Sequence, residues 1–422
     1  MKSIRAIPSI VSQLAWDLAL AVAAILLLAI ATASFSTVWA APLTVKIGVI
    51  TDMAGPLAGQ SGPGSLAAAE MAREDCLAGP CKGMDIQIIS ADHKNDAGLA
   101  SQIVREWIDV QHVDAVTDII QAAVQIAIQH LIEQKDRIAL FSGGTARLVN
   151  EDCAPKTSVM WMWDTYGQAA GLARPLTKPG TKWFFIVADY AFGHGLQADA
   201  TPIIEQLGGK VVGGVAHPFG FAGDFSPFLL QAQASGADRI AIGSTGADLV
   251  NILKAAHEFS IPQPPQQLDS FVLQTSDVTA LGLDVAKGIE VQENFYWNMD
   301  PRARAWSERF IARRKTIPTT VQAGVYSNTL GYLKAVAAAG TTDRAAVMTK
   351  LHQLPIDDAV IRHATLRPDG RVQHDGYLWR VKSPAESKER FDDYELVATI
   401  PPDQAFRPLS QSLCPKEKWF KD

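Results

Sequence analysis

The feature that most constrains this chain is a repeated succession: a short β-branched run, a loop of small polar residues, then a helical pattern. Its first occurrence is residues 45–75, VKIGVITDMAGPLAGQSGPGSLAAAEMARED. Val45, Ile47, Val49 and Ile50 have the character of a strand buried in a parallel sheet. The loop that follows carries Gly55, Gly59, Gly62 and Gly64 beside Pro56 and Pro63, so its backbone can come close to a ligand. Ser61 is placed to cap a helix with Pro63 in its first turn. The free N–H groups at such a helix start suit an anion.

The succession continues with expected strands at 84–90, 115–119 and 138–141 and helices at 99–110 and 121–134. It restarts with strands at 182–188, 211–216, 239–243 and 271–274, separated by helices at 196–207, 225–234 and 248–259. Strands and helices alternating at this spacing build parallel sheets wound right-handedly. The expected fold class is α/β, with two units in series at 44–160 and 180–285. Beyond them, 289–294 reads as a strand leading back to the first unit, and 303–315 and 327–339 as helices. Residues 366–371 read as a hairpin turn with 377–381 as its return strand, and 394–400 as a last strand. No stretch falls to the composition of a linker, so the two units are expected to exchange chain more than once.

Residues 1–40 stand apart. Lys2 and Arg5 precede an apolar run at 19–30, which is followed by Ser34, Ser36, Thr37 and the end Val38-Trp39-Ala40. That is the order of a secretory signal peptide, and the run is shorter than the roughly 20 residues a spanning helix needs. Export with no stable membrane insertion after cleavage is expected. An uncleaved anchor is the alternative, because the basic region is long and contains Asp17. The 38 basic and 44 acidic residues give a net charge of −6 without any Lys/Arg block, which argues against a nucleic-acid partner. Four cysteines in an exported chain read as disulfides rather than metal ligands. Cys76 and Cys81 enclose a turn-like span, and Cys153 would then pair with Cys414. Three pairings are formally open, and this one asks for the least rearrangement of the chain.

Catalytic patterns are missing from the sequence. There is no G-x-S-x-G elbow, no G-x-x-x-x-G-K-[ST] loop and no H-E-x-x-H or comparable metal spacing, so neither a metal nor another cofactor is expected. His194 is the one candidate general base and makes an exported hydrolase the enzymatic alternative; His93 reads as a solvated loop residue. The expected strand ends instead carry small polar groups: Asp52, then residues 119–122, 142–145, 189–195, 244–246 and 275–277. Ligands of open parallel sheets bind beyond these carboxyl ends. Such an inventory suits binding rather than turnover.

Taken in order, KIGVITDMAGPLAGQSGPGSLAAAEMA, DIQIISADHKND, SGGT, DYAFGHG and QAQASGADRIAI resemble the type I periplasmic solute-binding proteins, nearest the leucine/isoleucine/valine-binding branch that serves ABC importers. The resemblance covers the whole chain after residue 40. It implies two Rossmann-like lobes joined by a three-crossover hinge, with 41–162 plus 287–360 as the first lobe and 163–286 plus 361–422 as the second. It also implies a monomeric receptor, an ABC permease as partner and a small carboxylate-bearing ligand: an amino acid, or an aromatic or aliphatic organic acid. A ligand sensor on the same fold is the other non-enzymatic possibility. Carried over by position, Ser142, Gly144 and Thr145 match the loop that bonds the ligand carboxylate, with Gln121 and Ala122 supplying further contacts. Phe192 falls where a tyrosine covers the ligand side chain, and Thr245 or Gly246 occupies another contact. Ser276 departs from the family pattern, standing near an acidic partner for the ligand ammonium, with Asp277 as a substitute. Trp161, Trp163, Tyr166, Tyr296 and Trp297 are further aromatic candidates for the cleft or the crossovers.

Overall fold

The computed structural model describes residues 41–421, together with residues 16, 18 and 20–24, so most of the expected signal segment lies outside the described residues. Among the described residues no helix is long and apolar enough to cross a membrane. The chain runs β1 (Thr44–Thr51), α1 (Gly62–Leu77), β2 (Asp85–Asp92), α2 (Ala97–Asp109), β3 (Ala115–Asp118), α3 (Ala122–Lys135), β4 (Ile138–Gly144), the single turn α4 (Arg147–Asn150) and β5 (Ser158–Asp164). These strands form one parallel sheet in the order β2-β1-β3-β4-β5. Every residue of β3, β4 and β5 is buried, as expected of strands covered on both faces. β5 has no counterpart among the sequence expectations. Its SVMWMWD run has no apolar/polar alternation and a single β-branched residue, Val159, so it carries little of the two signals that separate a strand from other apolar runs. β4 also continues past Phe141, because Gly143 and Gly144 pair with Trp163 and Asp164.

The second lobe repeats the plan with α5 (Thr165–Leu176), β6 (Lys182–Ala188), α6 (Ala191–Gln206), β7 (Lys210–His217), α7 (Ser226–Ala234), β8 (Arg239–Gly243), α8 (Gly246–Glu258), β9 (Gln267–Ser270), α9 (Thr275–Leu281) and α10 (Leu283–Ala286). Its parallel sheet has the order β7-β6-β8-β9. The last strand is the polar QLDS rather than the apolar 271–274 expected. Asp269 is tolerated inside it because Arg239 meets its carboxylate twice, at 2.7 Å each.

β10 (Glu290–Glu293) corrects the expected domain division. It pairs antiparallel with β13 (Gly376–Val381), which pairs in turn with β14 (Tyr394–Ile400), and all three pack with the second lobe. The chain then returns to the first lobe as α11 (Pro301–Arg314), α12 (Thr320–Ala339) and α13 (Arg344–Gln353). β11 (Thr365–Leu366) and β12 (Val372–Gln373) close the turn read at 366–371 as a hairpin of their own, so β13 is not its return strand. Arg371 bridges to Met160 of β5. The breaks expected at 286/287 and 360/361 therefore move to about the ends of β10 and β12. The three crossovers follow β5, β10 and β12.

A tail continues from α14 (Pro402–Ala405) and ties both lobes. Arg407 meets Asp199 of α6 at 2.6 Å, whereas Cys414 is bonded to Cys153 after α4. The second disulfide joins Cys76 to Cys81 at the end of α1, so both expected pairings are formed. Beside the first crossover, Arg371 is 1% exposed. Its Nη2 donates to the Met162 carbonyl, its Nε lies 3.6 Å from Asp164, and its guanidinium sits 3.9 Å above the Phe406 ring. Burial lowers this guanidinium to about 10, which still leaves it charged at neutral pH. The same burial, with Arg371 adding repulsion, pushes His374 down to about 4.

Candidate ligand-binding cleft

The carboxyl ends of β1, β3 and β4 meet those of β6, β8 and β9 across the two lobes. The glycine loop after β1 is held rigidly from within. Buried Asp52 accepts from Gly55 N at 2.6 Å, Leu57 N at 2.9 Å and Asn95 Nδ2 at 2.7 Å. Thr319 and Gln322 form the capping box of α12 and grip the far end of the loop. Thr319 Oγ1 donates to Gln60 O at 2.6 Å, and Gln322 Nε2 donates to Gly59 O and Ser61 O at 3.2 Å each. The expected anion site at the start of α1 is not formed. Ser61 Oγ turns back to Leu57 O, Gly62 N donates to Thr51 Oγ1, and the Gln322 amide occupies the space over Gly64.

This loop reaches the second lobe. Gln60 Nε2 lies 2.6 Å from Thr245 Oγ1 and 3.2 Å from Asp277 Oδ2, and Thr245 Oγ1 lies 2.9 Å from Gln60 Oε1. Next to it, Gly246 has φ +62°, and a Cβ there would overlap the Pro56 carbonyl oxygen of the first lobe. Gln60 carried no pattern in the sequence. Its partners are some two hundred residues distant, so no local signal marks it.

On the first lobe, Asp118 and Ile119 both take left-handed backbone angles, φ +80° and +56°. Two such non-glycine residues in succession are strain of the kind concentrated at functional sites. Gln121 caps α3, its side-chain oxygen accepting from Val124 N at 2.8 Å, which leaves its amide nitrogen to donate, and Ala122 is buried in the first turn. Gln125, which the sequence did not single out, braces the neighbouring loops. Its Nε2 donates to Ile119 O and Gly143 O, and its Oε1 accepts from Thr145 N at 3.2 Å. The Thr145 hydroxyl accepts from Arg147 N, which leaves its own proton to donate. Gly144 has φ +147°, and the Gln125 amide packs where its side chain would be. Ser142 Oγ and Trp163 Nε1 are buried without a hydrogen-bond partner.

Of the aromatic candidates, Trp163 and Phe192 meet at this cleft. Trp163 covers Gly143 and stands edge-on to Phe192 at 5.9 Å, and Tyr190 and Phe219 extend the row at 6.0 and 4.7 Å. The others do structural work elsewhere. Trp161 donates to Ser327 under α12, Tyr166 lies beneath Arg407, and Tyr296 and Trp297 both bond Phe391 O. His93 is fully buried, against the expectation of a solvated loop, with Nδ1 accepting from Asn95 N. His194 is half exposed on Asp189 at 2.8 Å.

Ser276 Oγ is buried without a partner, and Asp277 completes the capping box of α9 with Gln274. Behind them lies Glu293, also unmarked in the sequence, which accepts from Gln274 Nε2 at 2.6 Å and from Thr320 Oγ1. Burial raises Asp277 to about 7 and Glu293 well above its ordinary value, with the neighbouring Asp277 carboxylate adding repulsion to Glu293. A carboxyl raised in this way holds a proton that the unfolded chain releases. Its stabilising contribution is complete below about pH 4 and is lost as pH rises through 7. Replacing Asp277 by Asn is therefore expected to gain about 1–2 kcal/mol on wild type between pH 5 and 7. Urea melts at both pH values check this; an equal difference at the two would show that Asp277 is ionised in the folded chain.

A cavity of about 610 Å³ opens elsewhere, among Arg239, His257, Gln266, Glu290 and Arg380. It lies at the amino ends of β8, β9 and β10, the wrong end of a parallel sheet for its ligand.

The family profile described as periplasmic binding protein matches residues 44–388. Among solved structures, a periplasmic binding protein from Burkholderia mallei is 39% identical, aligned over 88% of this chain and 98% of its own, with a TM-score of 0.83. A branched-chain amino acid ABC transporter periplasmic ligand-binding protein from Burkholderia xenovorans is likewise 39% identical over 88% and 99%, at 0.79. A solute-binding protein from R. palustris, solved with 4-hydroxybenzoate, shares the fold at 18% identity over 85% and 97%, at 0.75. No curated protein matches the chain. With the α/β lobes, the three crossovers and the cleft between them, these matches place the chain in the periplasmic binding protein family, whose members bind solutes rather than transform them.

Proposed function

We propose that this chain is the extracytoplasmic receptor of an ABC importer, monomeric, exported by its first 40 residues, and closing on a small carboxylate-bearing ligand that it hands to a membrane permease. The observation that carries the reading is the set of donors at the carboxyl ends of the first sheet: the partnerless Ser142 hydroxyl and Trp163 N–H beside the Thr145 hydroxyl. Aromatic rings from the second lobe face them. A carboxylate satisfies such donors, and the rings take an apolar body. The branched-chain amino acid transporter name of one relative and the 4-hydroxybenzoate of another both belong to carboxylates. Closure is a population shift, since a ligand touching both lobes binds the closed form alone.

The test is a thermal-shift screen with branched-chain and aromatic amino acids and their amine-free acids; a ligand at 1,000 times its Kd adds about 4 kcal/mol. A panel without any shift would overturn the reading. Replacing Ser142 and Thr145 together by Ala is expected to weaken binding by about 1–2 kcal/mol. Unchanged affinity in calorimetry would remove both residues from the site.

A further inference from the structure

The polar groups at the cleft divide by sign. Three of its acidic side chains are engaged by neutral donors of this chain. Asp52 holds the glycine loop, Glu293 takes Gln274 and Thr320, and Asp277 takes Gln274 N at 2.9 Å and Gln60 Nε2 at 3.2 Å. The buried atoms left without hydrogen bonds there include the Trp163 N–H, which can only donate, the hydroxyls of Ser142 and Ser276, and, as acceptors, the Asp118 carboxylate and Gln274 Oε1. The cleft thus has donors for an anion, and Asp277, the carboxylate at the contact between the lobes, is occupied.

Gln60 is the occupant, and we propose that its carboxamide stands where a ligand amine would go, making this a receptor for carboxylic acids with an apolar body and no amino group. The proposal rests on the carboxylate-receptor reading above and sharpens it. Three features support it. The Gln60 backbone is fixed on both sides by Thr319 and Gln322, so whenever the lobes are together its side chain starts from within reach of Asp277. The same carboxamide is bound to Thr245 at the start of α8, so an amine would have to break two contacts between the lobes. Finally, burial already favours the protonated form of Asp277, and a protonated carboxyl is a poor partner for an ammonium.

The experiment compares matched pairs by calorimetry: leucine against 4-methylpentanoate, and phenylalanine against 3-phenylpropanoate, on wild type and on Gln60→Ala. In wild type the amine-free acid of at least one pair is expected to bind about tenfold or more tighter than its amino acid. In Gln60→Ala that ratio is expected to fall about tenfold or to reverse. Amino acids binding as tightly as the acids in wild type would overturn the inference while leaving the carboxylate receptor intact. An unchanged ratio in the variant would overturn the role of Gln60. No binding by any of the four would overturn the inference, and with a silent thermal-shift panel the receptor reading as well. Should Gln60→Ala fail to fold, the wild-type ratios alone decide the ligand class.

Discussion

Replacing Arg371 by Ala is expected to destabilise the folded chain by about 3–5 kcal/mol, the range for removing one member of a buried ion pair. The guanidinium joins two elements near the hinge, and each loses something different. Asp164, 3% exposed, would keep only the Gly167 N–H at 2.8 Å that it accepts as the cap of α5. The Phe406 ring would lose the cation above it, loosening the tail between α14 and the Cys414 disulfide. Because most of this cost is an uncompensated carboxylate rather than lost attraction, charge removal should reverse much of it. Arg371→Met fills the stem volume, and adding Asp164→Asn removes the orphaned charge while keeping an acceptor for the α5 cap. The pair is expected to recover more than half of the loss in urea melts. An Arg371→Ala cost below about 1 kcal/mol would mean that water reaches Asp164 and that the buried pair is not holding the hinge.

Parts of this molecule with local chemical signatures were readable in the sequence, and parts made by distant partners were not. The strands of both parallel sheets were legible because Val, Ile and Phe runs bounded by glycine and polar loops have few other uses. β5 and β9 escaped for opposite reasons: one is apolar without a period, and the other is polar and stabilised by Arg239. Topology alone directs the search for a ligand to the strand ends. The contacts between the lobes there had no such signal. Gln60, Gln125, Gln322 and Glu293 sit in loops, helices and a strand where amides and acids are commonplace, and each acquires its role only when a partner arrives from elsewhere in the chain. His93 and Arg371 show the same limit for burial. A histidine between Asp92 and Lys94, and an arginine after a Pro-Asp-Gly turn, both look solvated until the tertiary structure closes over them.

Replacing Gly246 by Ala is expected to weaken ligand binding by a hundredfold or more, about 3 kcal/mol, while lowering the stability of the chain far less. Two effects act on this one position and can be separated. The first is conformational: φ +62° is left-handed, and a side chain there costs about 1–2 kcal/mol in any protein. The second exists only when the lobes are together. The new Cβ overlaps the carbonyl oxygen of Pro56, a backbone atom in the loop pinned by Asp52 through Gly55 and Leu57. Neither a carbonyl held in this way nor the first turn of α8 can yield by turning a side chain, so the relief available is to part the lobes. Parting them also breaks the contact of Gln60 with Thr245 and Asp277. Gly340, at the end of α12, supplies the control, for it is left-handed at φ +66° and has open space where its Cβ would point. Gly340→Ala should carry the conformational cost and bind normally. The measurements are calorimetry with the acid giving the largest thermal shift, and the radius of gyration in solution with that acid present. If Gly246→Ala and Gly340→Ala lose the same stability and both retain full affinity, the closed arrangement of the glycine loop against α8 is not the one that binds ligand.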